Sequence, residues 1–509
     1  MPKHYIERIL RARVYDVAKE TPLDPARQLT EKLASPVYLK REDLQPVFSF
    51  KLRGAFNRMA QLDAEARERG VIAASAGNHA QGVALAARHL GIKATIVMPR
   101  TTPPIKVKAV RRLGGKPVLQ GDSFDEAYVH ALELVKEQGQ TLIHPFDDPD
   151  VIAGQGTIAV EILKQHPDPI EAVFVPVGGG GLIGGIAAYI KYVRPEIKVI
   201  GVEPEDAASM HAALQAGRRV VLKQVGLFAD GVAVRQAGKE TFKLARDYVD
   251  EIILVSADEI CAAIKDVFED TRTVAEPAGA LSVAGLKKYV AREGACDKGL
   301  IAIESGANIN FDRLRHVAER AELGEGREAL LAVEIPEQPG SFHRFCRILG
   351  RRYITEFNYR YADSRNAQVF AGVEVGGDDE RLELIGRLKE NGFPVTDMSH
   401  NEVAKLHIRY MVGGHAPGLE NELLYRFEFP ERPGALLKFL TGLGKRWNIS
   451  LFHYRNHGAA YGRVLMGIQV QRQEQALFEQ MLERLGYPFW DESENPAYLL
   501  FAGTEELEL

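Results

Sequence analysis

Short apolar runs alternate with longer stretches of helical spacing through the first 310 residues of the chain. Runs of strand length fall at 71–76, 94–98, 117–120 and 141–144, and a second series at 172–177, 198–203, 251–255 and 300–305. Such alternation predicts an α/β fold, because strands buried on both faces need helices to cover them. Two separate series predict two lobes.

The pattern changes after Asn310. A charged helical stretch from Asp312 to Glu322 leads into the hinge-like Gly324-Glu325-Gly326. Beyond it the sequence repeats. Pro336-Glu337-Gln338-Pro339-Gly340 returns 94 residues later as Pro430-Glu431-Arg432-Pro433-Gly434. Phe357-Asn358-Tyr359-Arg360 returns 95 residues later as Phe452-His453-Tyr454-Arg455. Near-equal offsets over two motifs indicate a duplicated unit. The first copy reads as strand 329–335, helix 341–349, strands 354–361 and 367–375, helix 380–391 and strand 394–398, and the second runs from 423 to 491 in the same order. The order β-α-β-β-α-β is ferredoxin-like, an α+β arrangement. The expected organisation is therefore a large domain over 1–320, a linker at 321–328, repeat domains at 329–400 and 423–494 joined by 401–422, and a tail at 495–509.

Composition narrows the setting. A net charge of −5 gives no reason to expect nucleic acid or an anionic membrane as partner. The apolar runs are too short to span a bilayer. Cys261, Cys296 and Cys346 match no metal motif and no disulfide framework, so a reducing, cytoplasmic setting is expected. The basic start (Arg8, Arg11, Arg13) has some character of an organelle transit peptide, but Glu7 and Asp16 argue against one.

Four segments carry candidate chemistry. Lys51 sits between Phe50 and Leu52 at the head of a helical run. Burial there would favour its neutral amine, the form that attacks a carbonyl cofactor. The plainer alternative is a surface lysine with its stem packed down. Ser75-Ala76-Gly77-Asn78-His79 joins an apolar strand to a helix, where free N–H groups can hold an anion such as a substrate carboxylate. Simple helix capping by Ser75 or Asn78 is its alternative. Gly178-Gly179-Gly180-Gly181-Leu182 follows a strand and opens a small-residue helix, a pattern that lets backbone approach a phosphate. Gly179, Gly181 and Gly184 also fit the dinucleotide fingerprint, with Glu203 placed as a ribose acid, so a nicotinamide enzyme is a rival reading of this segment alone. Ser305 ends the last strand of the series, where its hydroxyl can meet a ring nitrogen or merely terminate the strand.

Taken together, these segments resemble the β-family of pyridoxal-phosphate enzymes, fold type II, over residues 5–320. The resemblance implies a two-lobed catalytic domain with pyridoxal 5′-phosphate between the lobes, the smaller lobe being built from residues 53–148. It implies Lys51 as Schiff-base lysine, with Phe50 beside it. It also implies Asn78 on the cofactor 3′-oxygen, Gly178 to Leu182 on the phosphate, Ser305 on the ring nitrogen, and Ser75 to His79 around the substrate.

His144-Pro145-Phe146-Asp147-Asp148-Pro149, Ala153-Gly154-Gln155-Gly156-Thr157 and Phe228-Ala229-Asp230-Gly231-Val232-Ala233 are similar to the threonine/serine dehydratase branch. The repeats resemble the paired ACT-like regulatory domains of the biosynthetic threonine dehydratase family. That family implies conversion of L-threonine to 2-oxobutanoate and ammonia, the first step of isoleucine biosynthesis, with L-serine a weaker substrate. It further implies inhibition by isoleucine, antagonism by valine, and a homotetramer. Effector candidates are Pro339, Gly340, Tyr359 and Arg360 with Pro433, Gly434, Tyr454 and Arg455. No metal is expected, since Ala207, Ala208 and Ser209 stand where related enzymes place an acid. Alanine at 76, where related racemases carry serine, removes a second acid/base and argues against racemisation. Rival readings are a serine-preferring dehydratase or other β-replacement enzyme, and an amino-acid sensor that has lost activity.

Overall fold

The computed structural model describes residues 3–311, 313–336, 341–350, 352, 354–361, 366–410, 421–430, 446–455 and 461–501. It divides into two compact units, Met1–Ala321 and Glu322–Leu509.

The first unit contains the strands β1 (Leu23–Pro25), β2 (Val37–Arg41), β3 (Val71–Ala74), β4 (Ala94–Met98), β5 (Lys116–Leu119), β6 (Thr141–Leu142), β7 (Ile170–Pro176), β8 (Lys198–Pro204), β9 (Glu251–Val255) and β10 (Gly299–Glu304). They form two sheets, ordered β5-β4-β3-β6 and β1-β2-β10-β7-β8-β9. Apart from the antiparallel β1–β2 pair, the pairings are parallel. Parallel strands need cover on both faces, and their sequences supply it. In β7, Ala172 and Phe174 face one core while Val173 and Val175 face the other. In β3, Val71 and Ala73 face one core while Ile72 and Ala74 face its opposite.

The expected α/β fold holds, with two differences. Strands β1 and β2 have no counterpart in the apolar pattern. Five strands also stop one or two residues earlier than their sequence suggests, at Ala74, Leu119, Leu142, Pro176 and Glu304, and the first and last of these leave Ser75, Ala76 and Ser305 in the loops beyond them.

The helix Lys51–Ala60 is clasped on two sides by glycines. A Cβ on Gly154, in the helix Pro149–Gln165, would lie 2.7 Å from the Arg53 carbonyl oxygen and from the Gly54 Cα. A Cβ on Gly82, in the helix Asn78–Leu90, would lie 3.0 Å from the Leu52 amide nitrogen. Backbones therefore touch where side chains ordinarily intervene, and the position of Lys51 is fixed by contact rather than by a mobile loop. Just ahead, Phe48 adopts φ 55°, a left-handed conformation that costs about 1–3 kcal/mol for a bulky residue. Neighbouring bonds hold it there: its N–H donates to Gln45 O at 2.8 Å, and its carbonyl accepts from Ala307 N–H at 2.9 Å.

The second unit contains two four-stranded antiparallel sheets. One comprises β11 (Glu328–Pro336), β12 (Ile354–Tyr361), β13 (Asn366–Glu374) and β14 (Val395–Asp397) in the order β12-β13-β11-β14. The other comprises β15 (Glu422–Pro430), β16 (Asn448–Arg455), β17 (Tyr461–Gln469) and β18 (Phe489–Asp491) in the order β16-β17-β15-β18. In β11, Leu331, Val333 and Ile335 face a core shared with the helices of their own repeat. Leu330 and Ala332 face a core shared with Leu424 and Leu465 of the second copy. Duplication is visible at atomic level. Ser399 Oγ accepts from Leu330 N–H, and Ser493 Oγ from Leu424 N–H, both at 3.0 Å. Asn401 and Asn495, equivalent in the two copies, meet each other at 3.0 Å. Contact between equivalent residues marks a local twofold relation between the copies.

Candidate active site

Strand order places the site. In the large sheet, β8 and β9 lie on one side of β7, while β10 and β2 lie on the other. The loops leaving β7 and β10 therefore part at a switch point and leave a crevice, where open parallel sheets bind ligands. Those loops begin the Gly178–Leu182 segment and carry Ser305. The small sheet has its own switch point, with β4 and β5 on one side of β3 and β6 on the other. There the loops are Ser75–Gly77 and residues 143–148.

The two crevices meet. A Cβ on Gly179 would lie 2.2 Å from Cγ of the Phe146 ring, and one on Gly181 would lie 2.9 Å from the Phe146 carbonyl oxygen. Lys51 Nζ donates to Pro145 O at 3.2 Å and lies 5.3 Å from the centre of the Phe50 ring. Phe50 N–H donates to Ser305 O at 3.3 Å, and Ser49 bridges to Gly306. Thus the strand-end serine and the lysine are tied together by main chain. Ser305 Oγ donates to Ala278 O at 3.1 Å.

The loop after β3 is half-buried. Ser75 Oγ accepts from Gly77 N–H at 3.2 Å, and Gly77 faces open space. Ala76 lies between them. Asn78 opens the helix Asn78–Leu90, whose first N–H groups lack intrahelical partners. The Asn78 amide is held from both ends. Its Nδ2 donates to Glu276 Oε1 at 2.5 Å, and its Oδ1 accepts from Asn308 Nδ2 at 2.7 Å. His79 is buried, with Nε2 2.8 Å from Ile143 O.

Gly180 has φ 92° and Gly178 leaves only 2.9 Å between a would-be Cβ and Val232 Cα, so side chains are excluded at both positions. The helix Gly181–Val193 starts at once, and Leu182 anchors it in the core. Gly179 O accepts from Thr241 Oγ1 at 2.6 Å and from Gly238 N–H at 3.3 Å, which fixes the loop from behind. Asp147 in turn accepts from Lys239 and Glu240 N–H at 2.7 and 2.8 Å.

Burial sets the charges. It pushes the Lys51 amine down to about 8, against the opposing pull of the Glu276 carboxylate. It pushes His79 down to about 3, so that ring is neutral at physiological pH. His144 is lowered for the same reason and accepts from Asp147 N–H at 2.8 Å. Burial also raises Glu276 to about 7, with Asp230 repelling it further. Asp230 itself is held well below the carboxylate range, because Lys106 and Arg313 outweigh its own burial.

Two family signatures match the chain. "Pyridoxal-phosphate dependent enzyme" covers residues 14–304, and "C-terminal regulatory domain of Threonine dehydratase" covers 319–408 and 413–501. A curated relative, L-threonine dehydratase biosynthetic IlvA of Burkholderia multivorans, is 59% identical over 98% of this chain and 99% of its own. The Escherichia coli protein of the same name is 55% identical over 98% of this chain and 96% of its own. The chain belongs to the biosynthetic threonine dehydratases. The solved processed form of threonine deaminase isoform 2 from Solanum lycopersicum is 52% identical, with TM-score 0.62 over 63% of this chain and 93% of that one.

As in its family, the cofactor of this dehydratase is pyridoxal phosphate. The fingerprint acid of the rival reading, Glu203, is engaged elsewhere. Its oxygens accept from Met210 and His211 N–H, both at 2.8 Å, at the head of the helix Ser209–Ala216. Sequence reasoning missed Glu276, Thr241 and Asn308. Glu276 precedes Pro277 and reads as an ordinary helix start.

Of the effector candidates, Tyr359 and Arg360 lie on β12, and Tyr454 and Arg455 on β16, each an edge strand of its sheet. Pro339, Gly340, Pro433 and Gly434 lie outside the described residues.

Proposed function

We propose that the chain eliminates water from L-threonine and that the unsaturated amine left behind, as its imine tautomer, takes up one water to give 2-oxobutanoate and ammonia, with L-serine a poorer substrate. The observation that carries this reading is the half-buried, low-pKa amine of Lys51, which donates to Pro145 O next to the Phe146 that packs on the glycine loop, and whose chain is tied through Ser49 and Phe50 to the strand-end serine segment. The site fits pyridoxal phosphate. At Gly178, Gly179 and Gly181 any Cβ would strike Val232 or Phe146, while the first turn of the helix Gly181–Val193 offers N–H groups and a positive dipole end to a phosphate. When bound, the cofactor supplies an electron sink that acidifies the α-hydrogen of an amino acid.

The residues then divide the work. Lys51 would hold the cofactor, its Nζ lying over the Phe50 ring, and that Nζ would take the α-proton. Asn78 would hold the cofactor ring through its amide, and Ser305, whose Oγ donates to Ala278 O, would offer the ring nitrogen a neutral hydroxyl oxygen. The loop Ser75-Ala76-Gly77-Asn78-His79 receives the substrate carboxylate on its N–H groups. Neutral His79 adds no charge there. Ala76 offers no second acid or base, so inversion at the α-carbon has no proton donor on that side. Purified protein given threonine should yield 2-oxobutanoate and ammonia in equal amounts, faster than pyruvate from serine, with no D-amino acid. Absence of keto acid, or a serine rate exceeding that for threonine, would overturn the reading.

We propose further that isoleucine binds the duplicated repeats as inhibitor, that valine opposes it, and that the working form is a cytoplasmic homotetramer. No described helix is long and apolar enough to cross a membrane. Arg360 and Arg455 occupy equivalent edge strands, and an arginine can take a carboxylate through two parallel bonds. Inhibition requires that isoleucine favour a state of low threonine affinity, which makes threonine dependence sigmoidal. Isoleucine should bind the full-length protein by calorimetry. Arg360→Ala or Arg455→Ala should weaken it about tenfold or more, the worth of a charge-assisted bond. Unaltered affinity in both variants would remove the arginines from the sensor.

A further inference from the structure

Glu276 has no duty in its own helix. It is the N-cap residue of the helix Pro277–Glu293, yet its carboxylate makes no cap hydrogen bond and turns into the site. It is buried, and its Oε1 accepts from Asn78 Nδ2 at 2.5 Å. Its backbone N–H donates to Gly306 O at 3.0 Å, and a Cβ on Gly306 would lie 2.6 Å from its Oε1. The chain therefore spares room for this carboxylate between the Ser305 loop and Asn78. We propose that Glu276 is a positioning residue. It fixes the Asn78 amide so that one N–H remains free for the cofactor ring, and its carboxylate is the counter-charge to the Lys51–cofactor centre.

Hydrogen-bond inventory supports the first half. An amide carries two N–H donors and one oxygen. Asn308 Nδ2 occupies the Asn78 oxygen, and Glu276 occupies one donor, so one N–H is left with a fixed direction. An ionised carboxylate holds that donor more strongly than a neutral amide oxygen would.

The second half rests on charge placement. Asp230 faces Glu276 as a repelling anion. Lys106 and Arg313 attract it from the helices Pro104–Arg112 and Arg313–Gly324, and Lys51 attracts it from within the site. Burial leaves its proton affinity within the range where enzymes work, near 7. The carboxylate and the lysine centre then influence each other's titration.

This proposal rests on the pyridoxal-phosphate reading of the site, and one set of variants separates the two. Holoenzymes of wild type, Glu276→Gln and Glu276→Asp would be compared by visible absorbance of the bound cofactor between pH 5.5 and 9, by steady-state pH profiles, and by spectral titration of the apoproteins with pyridoxal phosphate. Wild type should show a spectral transition in the neutral range, which Glu276→Gln removes and Glu276→Asp retains at a shifted midpoint. Glu276→Gln should also lower kcat/KM about tenfold, as expected for exchanging a charge-assisted hydrogen bond for a neutral one. A Gln variant that keeps the wild-type spectral transition and pH profile would overturn the proposal, whatever its rate. So would an Asp variant that restores neither. Should Glu276→Gln fail to fold, the Asp midpoint shift alone decides. Failure of wild type to bind the cofactor would instead sink the underlying reading.

Discussion

Lys51→Ala should leave no more than trace conversion of threonine while the protein stays folded. The lysine both holds the cofactor and moves the α-proton, so one substitution removes two functions. General-base catalysis alone is worth about 10²- to 10⁴-fold. The variant protein should show no visible band that borohydride can fix to the chain. Its apoprotein should also resist heat at least as well as wild type near pH 7. The Lys51 amine titrates near 8 when folded, below its ordinary value of 10.5. As pH falls from 10.5 to 8, the unfolded chain takes up a proton that the folded chain does not, so folding is opposed, fully so below 8. Alanine relieves that opposition at neutral pH and has no such effect above 10.5. Turnover above one per cent of wild type, or a lower melting temperature at pH 7 than at pH 10.5 relative to wild type, would show that Lys51 is placed wrongly here.

The sheets were legible where burial is hydrophobic and illegible where it is ionic. Runs such as 172–177 and 300–305 are apolar because strands covered on both faces require it, and they appear as β7 and β10. By contrast β2 reads Val-Tyr-Leu-Lys-Arg, and the charges of Lys40 and Arg41 conceal a strand that is almost wholly buried. Lys40 is buried against Glu161 and Arg41 against Glu304, acids that no local window contains, although Arg41 also pairs with nearby Asp43.

Site residues divided the same way. Lys51, the glycine run and Ser305 announce themselves through local pattern, because a glycine cradle must be contiguous. Glu276 and Asn308 act by reaching Asn78 across 198 and 230 positions, and neither has a motif of its own. The helix Ser341–Leu349 matched its predicted span in the repeats, since amphipathic spacing is a local property. What the repeats bury against each other, Leu330 and Phe370 with Leu424 and Leu465, looked no different from ordinary core.

Arg53→Ala should be the most destabilising single change in the catalytic unit. Arg53 stands two positions after Lys51 and is wholly buried. Its guanidinium bonds Glu42 Oε1 at 2.7 Å, Glu42 Oε2 at 2.8 Å and Glu161 Oε1 at 2.5 Å, and Lys40 closes the cluster at 2.6 Å from Glu161 Oε2. Burial alone would push Glu42 up, and Arg53 overcomes this to hold it below the usual carboxylate range. Glu42 therefore stabilises the fold above its unfolded pKa, and that contribution fades only as pH drops through the lower folded value. Without Arg53 the sign reverses. Burial then dominates, Glu42 titrates above its unfolded value, and stability falls as pH rises past the ordinary glutamate range. Removing one partner of a buried ion pair costs about 3–5 kcal/mol. For a unit of this size that is a fall in melting temperature on the order of 10 °C. Melts followed by cofactor absorbance at pH 5.5 and 8 should show the larger deficit at pH 8. Arg53→Lys should recover part of it by restoring one charge without the two-sided geometry. A deficit under 2 °C, or one that is larger at pH 5.5, would mean that this cluster does not hold the Lys51 helix in place.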